Sequence, residues 1–236
     1  MHNLTPRELA GFIDHTLLKP ETAIEDITRI CLEAKIHGFH SVCVNPYWVP
    51  YCKVRLRKTR VKICSVVGFP FGATDARVKA YEARSAILSG ANEIDMVINI
   101  GALKSDHTTL IGNEIKMVKI FSPGIVLKAI IETCLLTQGE IILACNIAKA
   151  NGADFVKTST GFNGQGATTD NIELMRYTVG PGFGVKASGG IRTYGDALAM
   201  LEAGASRLGC SASVEIIKEY KRAVYGPKEE EYAEKR

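Results

Sequence analysis

Two lysines stand where ammonium groups are costly. Lys157 closes the apolar part of "DFVKTSTG" (154–161), and Lys186 closes that of "GFGVKASGG" (182–190). A buried ammonium is expensive unless it is paired or used. Each lysine is followed by small groups able to line a polar pocket: Thr158, Ser159, Thr160 and Gly161 after the first, Ser188, Gly189 and Gly190 after the second. Crowding two like charges lowers an amine pKa and leaves a neutral, nucleophilic fraction at pH 7, which is what a Schiff base with a carbonyl compound requires. Strand-end lysines reaching to solvent are the other reading. Asp95, in "NEIDMVINIGALKS", is a carboxylate inside an apolar stretch and needs a cationic partner. It is either an acid–base group or half of a structural ion pair, and Lys128 in "VLKAIIET" is a further candidate for its partner.

These residues act together only if the chain positions them. Short apolar runs, each followed by a segment of helical periodicity, predict strands at 12–15, 41–45, 62–67, 93–98, 126–131, 154–158, 183–187 and 206–208. Helices are expected at 23–37, 46–58, 74–89, 108–121, 137–151, 169–179 and 194–203, with a last one from about Ser211. "HGF", "SGANE", "NGAD" and "AGAS" supply glycine where each helix should stop. Eight strand–helix units without an internal linker predict an α/β chain folded as a single-domain (β/α)8 TIM barrel over 1–225, with a short N-terminal helix, in preference to an open doubly wound sheet. Residues 226–236 are expected to form a charged, mobile tail.

Active sites of such barrels lie at the C-terminal strand ends. Asp14, Asn45, Asp95, Asn99, Glu132, Thr133, Lys157 and Lys186 fall there on the strand positions above. Alternation turns Lys157 inward with Phe155, and Lys186 inward with Gly184, on strands about 5 Å apart. The glycine-rich turns at 159–161, 188–190 and 209–211 follow strands six, seven and eight, where barrels bind phosphate through backbone N–H groups, so a phosphorylated ligand is expected. "GFNGQG" (161–166) lacks the dinucleotide spacing and reads as a flexible loop.

The composition, 46% hydrophobic and 23% charged with a net charge of +4, is that of a soluble globule. The basic run "KVRLRKTRVK" (53–62) reads as a solvated helix face, and no nucleic-acid motif accompanies it. Seven cysteines without a CxxC pair read as reduced core thiols of a cytoplasmic protein. There is no signal-peptide core and no run of about 18 apolar residues, so no membrane partner is expected. The five histidines are dispersed and no metal motif is present; His15, beside Asp14, reads as a packing residue.

Together "IDHTLLKPET", "VCVNP", "VVGFPFGA", "EIDMVINIGALKS", "LKAIIET", "DFVKTSTGF" and "GVKASGGIRT" resemble the deoxyribose-phosphate aldolase family, over a span from Ile13 to Ser211. The resemblance implies a class I aldolase that needs neither metal nor organic cofactor and reversibly cleaves 2-deoxy-D-ribose 5-phosphate to D-glyceraldehyde 3-phosphate and acetaldehyde. It also implies that Lys157 forms the Schiff base, Lys186 lowers its pKa, and Asp95 relays protons through water. Asp14, Thr16, Asn45, Lys128 and Thr160 would line the substrate pocket, while Gly161, Gly189, Gly190, Gly209 and Ser211 would hold the phosphate. Ala212 departs from family members with a second serine after Ser211, and neither Tyr225 nor Tyr232 aligns with the C-terminal tyrosine that some members use. Barrels of this size often associate, so a homodimer or homotetramer is expected. Two other readings stay open at this point: a different phosphate-binding barrel enzyme, and a non-catalytic metabolite-binding barrel whose lysines clamp phosphate.

Overall fold

Alternate residues of a strand face opposite sides of its sheet, and here the two sides differ sharply in chemistry. The computed structural model describes residues 4–226. Its strands are β1 (Ile13–Leu17), β2 (Ser41–Val44), β3 (Lys62–Val67), β4 (Glu93–Val97), β5 (Val126–Ile130), β6 (Phe155–Lys157), β7 (Gly184–Ser188) and β8 (Arg207–Cys210). All neighbours pair in parallel, and β8 returns to β1 to close the barrel. Val42, Val44, Ile94, Met96, Leu127, Ala129, Val156, Val185 and Leu208 join the main apolar core against the helices. Their alternates, among them Asp14, Cys64, Asp95, Lys128, Lys157 and Lys186, meet one another inside the barrel. Aliphatic layers usually fill a barrel of this kind; here much of that volume is a charged network.

The helices are α1 (Pro6–Ala10), α2 (Ile24–His37), α3 (Val49–Arg55), α4 (Ala76–Ser89), α5 (Ile100–Lys104), α6 (Thr108–Phe121), α7 (Gln138–Ala150), α8 (Thr169–Val179), α9 (Tyr194–Glu202) and α10 (Ser213–Tyr225). Each expected strand is present, with its ends displaced by at most two residues. Three helical expectations change. The helix expected over 46–58 is a 3-10 turn, Pro46–Trp48, followed by α3, because Pro50 begins a new helix and Lys58 adopts a left-handed conformation with φ 63°. The basic run 53–62 therefore spans a helix end, a loop and the first residue of β3. Asp75, rather than Thr74, caps α4 by accepting from Arg77 N. α5 was not expected; Asn99 nucleates it by accepting from Ala102 N.

No helix among the described residues is long and apolar enough to cross a membrane. The tail expected at 226–236 lies, beyond Gly226, outside the described residues.

Large interior side chains require their opposite numbers to be absent. Phe155 on β6 is the register partner of Gly184 on β7, and a Cβ at Gly184 would sit 2.2 Å from the Phe155 ring. The ring is itself held under the Arg207 guanidinium, 5.5 Å from its centroid. Gly184→Ala should therefore lower stability by about 1–3 kcal/mol through overpacking, measured as a lower denaturant midpoint. An unchanged midpoint would show that the interior yields more readily than this packing implies.

Candidate active site

Strand register brings the charged residues together. Asp95 pairs with Lys128 across β4 and β5, Lys157 with Lys186 across β6 and β7, and Lys186 with Arg207 across β7 and β8. Asp95 is fully buried. Its Oδ1 accepts from Lys128 Nζ at 2.8 Å and from the Cys64 thiol at 3.0 Å, while its Oδ2 accepts from both Lys157 Nζ and Lys186 Nζ at 2.8 Å. Deeper in the barrel, Asp14 accepts from Lys186 at 2.5 Å, Arg207 at 3.1 Å and Ser41 Oγ at 2.7 Å. Glu93 takes Lys128 at 2.6 Å and lies 2.8 Å from His40 Nε2. Leaving His40 aside, four cations face three carboxylates, so the interior carries one positive charge in excess.

These neighbours decide the protonation states. Burial opposes charge on Asp95, but Lys128, Lys157 and Lys186 outweigh it and hold the carboxyl well below its usual range. Asp14 is likewise held far down, against burial, by Lys186, Lys128 and Arg207. Burial also opposes charge on Lys186, yet Asp14 and Asp95 raise its pKa above the ordinary lysine value. Its ammonium form is thus favoured by both carboxylates. The two lysines expected to crowd each other share one oxygen of Asp95, the inward carboxylate expected near them, so attraction to that oxygen acts beside their mutual repulsion.

The two lysines are not equivalent. Both are buried, but Lys186 shares two carboxylates, whereas Lys157, the last residue of β6, pairs among the described residues with Asp95 alone. Beyond Lys157 the ends of β6 and β7 are cross-tied: Thr158 Oγ1 accepts from Ser188 N at 3.0 Å, and Ser188 Oγ donates to Ser159 O at 2.6 Å. Glu132 anchors the following loop. It is fully buried with φ 55° and accepts from Thr160 N at 3.2 Å, from Thr160 Oγ1, and from Asn163 Nδ2 at 2.9 Å.

The remaining expected residues divide into two groups. Thr16 donates to Asp14 O, and Asn45 donates to Leu18 O at the mouth end of β2. Gly161 and Gly190 have positive φ and open space where a Cβ would point, and Ser211 is exposed just before α10. Gly189 also has positive φ but is covered, since Gly166 Cα would lie 2.9 Å from its Cβ. Gly209 belongs to no turn. It lies within β8, where a side chain would meet Ser188 Cβ at 3.0 Å and Lys186 Cε at 3.1 Å, so it makes room for the lysine stem. Asp14, read as the end of the first strand, is its second residue and lies below the mouth. His15 faces outward to Ser213 and Glu33, as a packing residue would. Tyr225 ends α10, about 18 Å along the helix from its start near the mouth, and Tyr232 lies outside the described residues.

Glu93, Arg207, Ser41 and Cys64 were missed. Glu93 and Arg207 each stand two positions before an inward residue, Asp95 and Gly209, so strand alternation was the available signal. Two groups of possible metal ligands occur among the described residues, Cys43 with Cys64 and Asp95, and Asp14 with His40 and Glu93. In both, the carboxylates already accept from ammonium or guanidinium groups.

A closed barrel with amines fixed against a buried carboxylate, below open glycine turns, defines an enzyme of the barrel-aldolase class. The protein belongs to the DeoC/LacD family of aldolases, whose family model matches residues 9–216. It is 54% identical over 213 residues to deoxyribose-phosphate aldolase 1 of Bacillus licheniformis, covering 90% of this chain and 96% of that one. It is 53% identical over 211 residues to the deoxyribose-phosphate aldolase of Streptococcus sanguinis, covering 89% and 96% respectively. The solved tetrameric deoxyribose phosphate aldolase of Aeropyrum pernix superposes with a TM-score of 0.86 at 35% identity, covering 93% of this chain and 94% of that one. The chain is accordingly a carbon–carbon lyase.

The charged interior makes stability acid-sensitive. Burial pushes the Glu93 carboxyl up, but His40 and Lys128 prevail and bring it down to about 2. Between that value and its unfolded value near 4.5, the unfolded chain binds the extra proton. The stabilisation is therefore complete above about pH 5 and is lost as pH falls towards 2, a loss on the order of 3 kcal/mol from this residue. Melting of wild type and Glu93→Gln from pH 7 to pH 3 should show a lower starting point and a shallower acid decline in the variant. Parallel declines would contradict this assignment.

Proposed function

We propose that the protein reversibly cleaves 2-deoxy-D-ribose 5-phosphate to D-glyceraldehyde 3-phosphate and acetaldehyde through a Schiff base on Lys157. The observation that supports this most strongly is the unequal sharing of Asp95: Lys186 is locked between two carboxylates, while Lys157 has one partner and sits where β6 opens to the mouth. The lysine with fewer anchors is the one free to react.

In the cleavage direction, Lys157 Nζ adds to the C1 aldehyde, and the carbinolamine loses water to give the iminium. The C3 hydroxyl loses its proton, the C2–C3 bond breaks, and its electron pair passes into the iminium to leave an enamine. D-Glyceraldehyde 3-phosphate departs. Protonation of the enamine carbon and addition of water then release acetaldehyde and free the lysine. A carboxylate held as low as Asp95 is a poor proton acceptor while three ammoniums surround it. The neutral carbinolamine removes one of those charges, which makes Asp95 more basic at the step that needs a relay through water. Lys186 and Lys128 remain as fixed positive charges. Thr16, Asn45 and Thr160 are proposed to meet the sugar hydroxyls. The open turns at Gly161, Gly190 and Ser211 are proposed to take the phosphate dianion, with Gly189 shaping the loop.

Association into a homodimer or homotetramer is supported by exposed aromatic surface: Tyr47, Phe71 and Tyr81 are 80%, 69% and 76% exposed, beside an apolar recess of about 540 Å³. Seven free cysteines, six of them buried, suit a reducing cytoplasm.

Release of D-glyceraldehyde 3-phosphate, followed by a coupled assay, tests the reading. Wild type should turn over 2-deoxy-D-ribose 5-phosphate and keep its rate after exhaustive chelation, since the iminium itself is the electron sink. Lys157→Leu should lose roughly 10⁴-fold or more. Full activity in Lys157→Leu, or loss on chelation restored by a divalent ion, would refute the mechanism.

A further inference from the structure

The end of the barrel opposite the mouth has a chemistry that the aldolase reaction does not use. A cleft of about 720 Å³ is lined there by Arg7, Lys35, His40, Arg60 and Lys62. It runs on to Lys53 on one side and Lys221 on the other. Among the described residues no carboxylate lines any part of it. Arg7, Lys35, Lys53, Arg60, Lys62 and Lys221 form no ion pair among the described residues. Acids around it already have partners: Glu8 caps α1 at Thr5, Glu33 pairs with His15 and Arg29, and Glu93 is shared by the cleft residue His40 with Lys128 and Arg207.

Helix ends account for part of this cluster. Lys35 and Lys53 lie in the last turns of α2 and α3, where the helix dipole favours a cation. Arg60 and Lys62 lie on a loop and at the start of β3, where it does not. Cations gathered in a recess whose described lining holds no carboxylate create a positive potential that a multiply charged anion would relieve.

We infer that this cleft is a second anion site, for a compact ligand bearing two or more phosphoryl groups. Its volume lies within the range of small-molecule sites. The guanidinium forks of Arg7 and Arg60 match phosphate oxygens in pairs, and the lysines add point charges around them. Single-stranded nucleic acid fits less well, since stacking needs an accessible ring and the aromatic residue of the cleft, Phe39, is only 2% exposed. The site is separate from the catalytic one, because His40 precedes β2 and Lys62 begins β3, whereas Gly190 and Ser211 follow the far ends of β7 and β8.

Calorimetric titration of the full chain with inorganic triphosphate at about 0.15 M salt tests the inference. The double variant Arg60→Ser/Lys62→Ser should weaken binding roughly tenfold or more, and Lys35→Ser should weaken it independently. Because these side chains are exposed, both variants should keep the wild-type melting temperature to within a few degrees and an unchanged KM for the aldolase substrate. Three results would overturn the site: no binding by wild type, binding retained in full by the variants, or equal affinity for sulfate and triphosphate. Retained binding would place the triphosphate at the catalytic mouth, so failure here leaves the proposed aldolase reaction standing.

Discussion

The carboxylate of Asp95 accepts from three ammonium groups in a space closed to solvent, and the barrel is arranged around that contact. A buried ion costs several kcal/mol to desolvate, and removing one partner from a buried pair typically costs about 3–5 kcal/mol. The network is therefore strongly interdependent. It exists because parallel strands in register hold Asp95 opposite Lys128, and Lys157 opposite Lys186, so the charges meet without distortion of the backbone.

The same arrangement divides labour along the barrel axis. Asp14 and Glu93, at the deep end, favour the ammonium forms of Lys186 and Lys128, and Arg207 pairs with both of those carboxylates. At the mouth the contacts are hydrogen bonds without a cationic donor: Ser188 N to Thr158, Ser188 Oγ to Ser159, and the loop donors that converge on Glu132. Lys157 lies at the junction of the two zones. Its side chain is held from below by Asp95, while the turns above it present glycines open to a ligand.

The strand–helix repeat was legible because its signals are local. Apolar runs of strand length, glycines after helices and capping threonines all act within a few residues, and all eight strands lie within two residues of their expected places. Lys157, Lys186 and Asp95 were legible for another reason: charge inside an apolar run has no cheap explanation. What could not be read is long-range. Which carboxylate meets which ammonium depends on strand register, so whether Asp95 pairs with Lys128 or with the two strand-end lysines stayed open, and that it takes all three was not legible. Glu93 and Arg207 open their strands and resemble solvent-facing termini until barrel closure buries the first and covers most of the second. Gly209, within "GCS", reads as a turn locally; only the stem of Lys186 across the strand pair explains it.

The account stands or falls on which amine carries the carbonyl carbon. Incubation with acetaldehyde followed by borohydride reduction converts an imine into a stable secondary amine, and peptide mass mapping locates it. One ethyl group per chain, on Lys157, is the expected result, with Lys186 and Lys128 unmodified because their carboxylate partners keep them protonated. An adduct on Lys186, or ethyl groups spread over several lysines, would contradict the division of roles around Asp95.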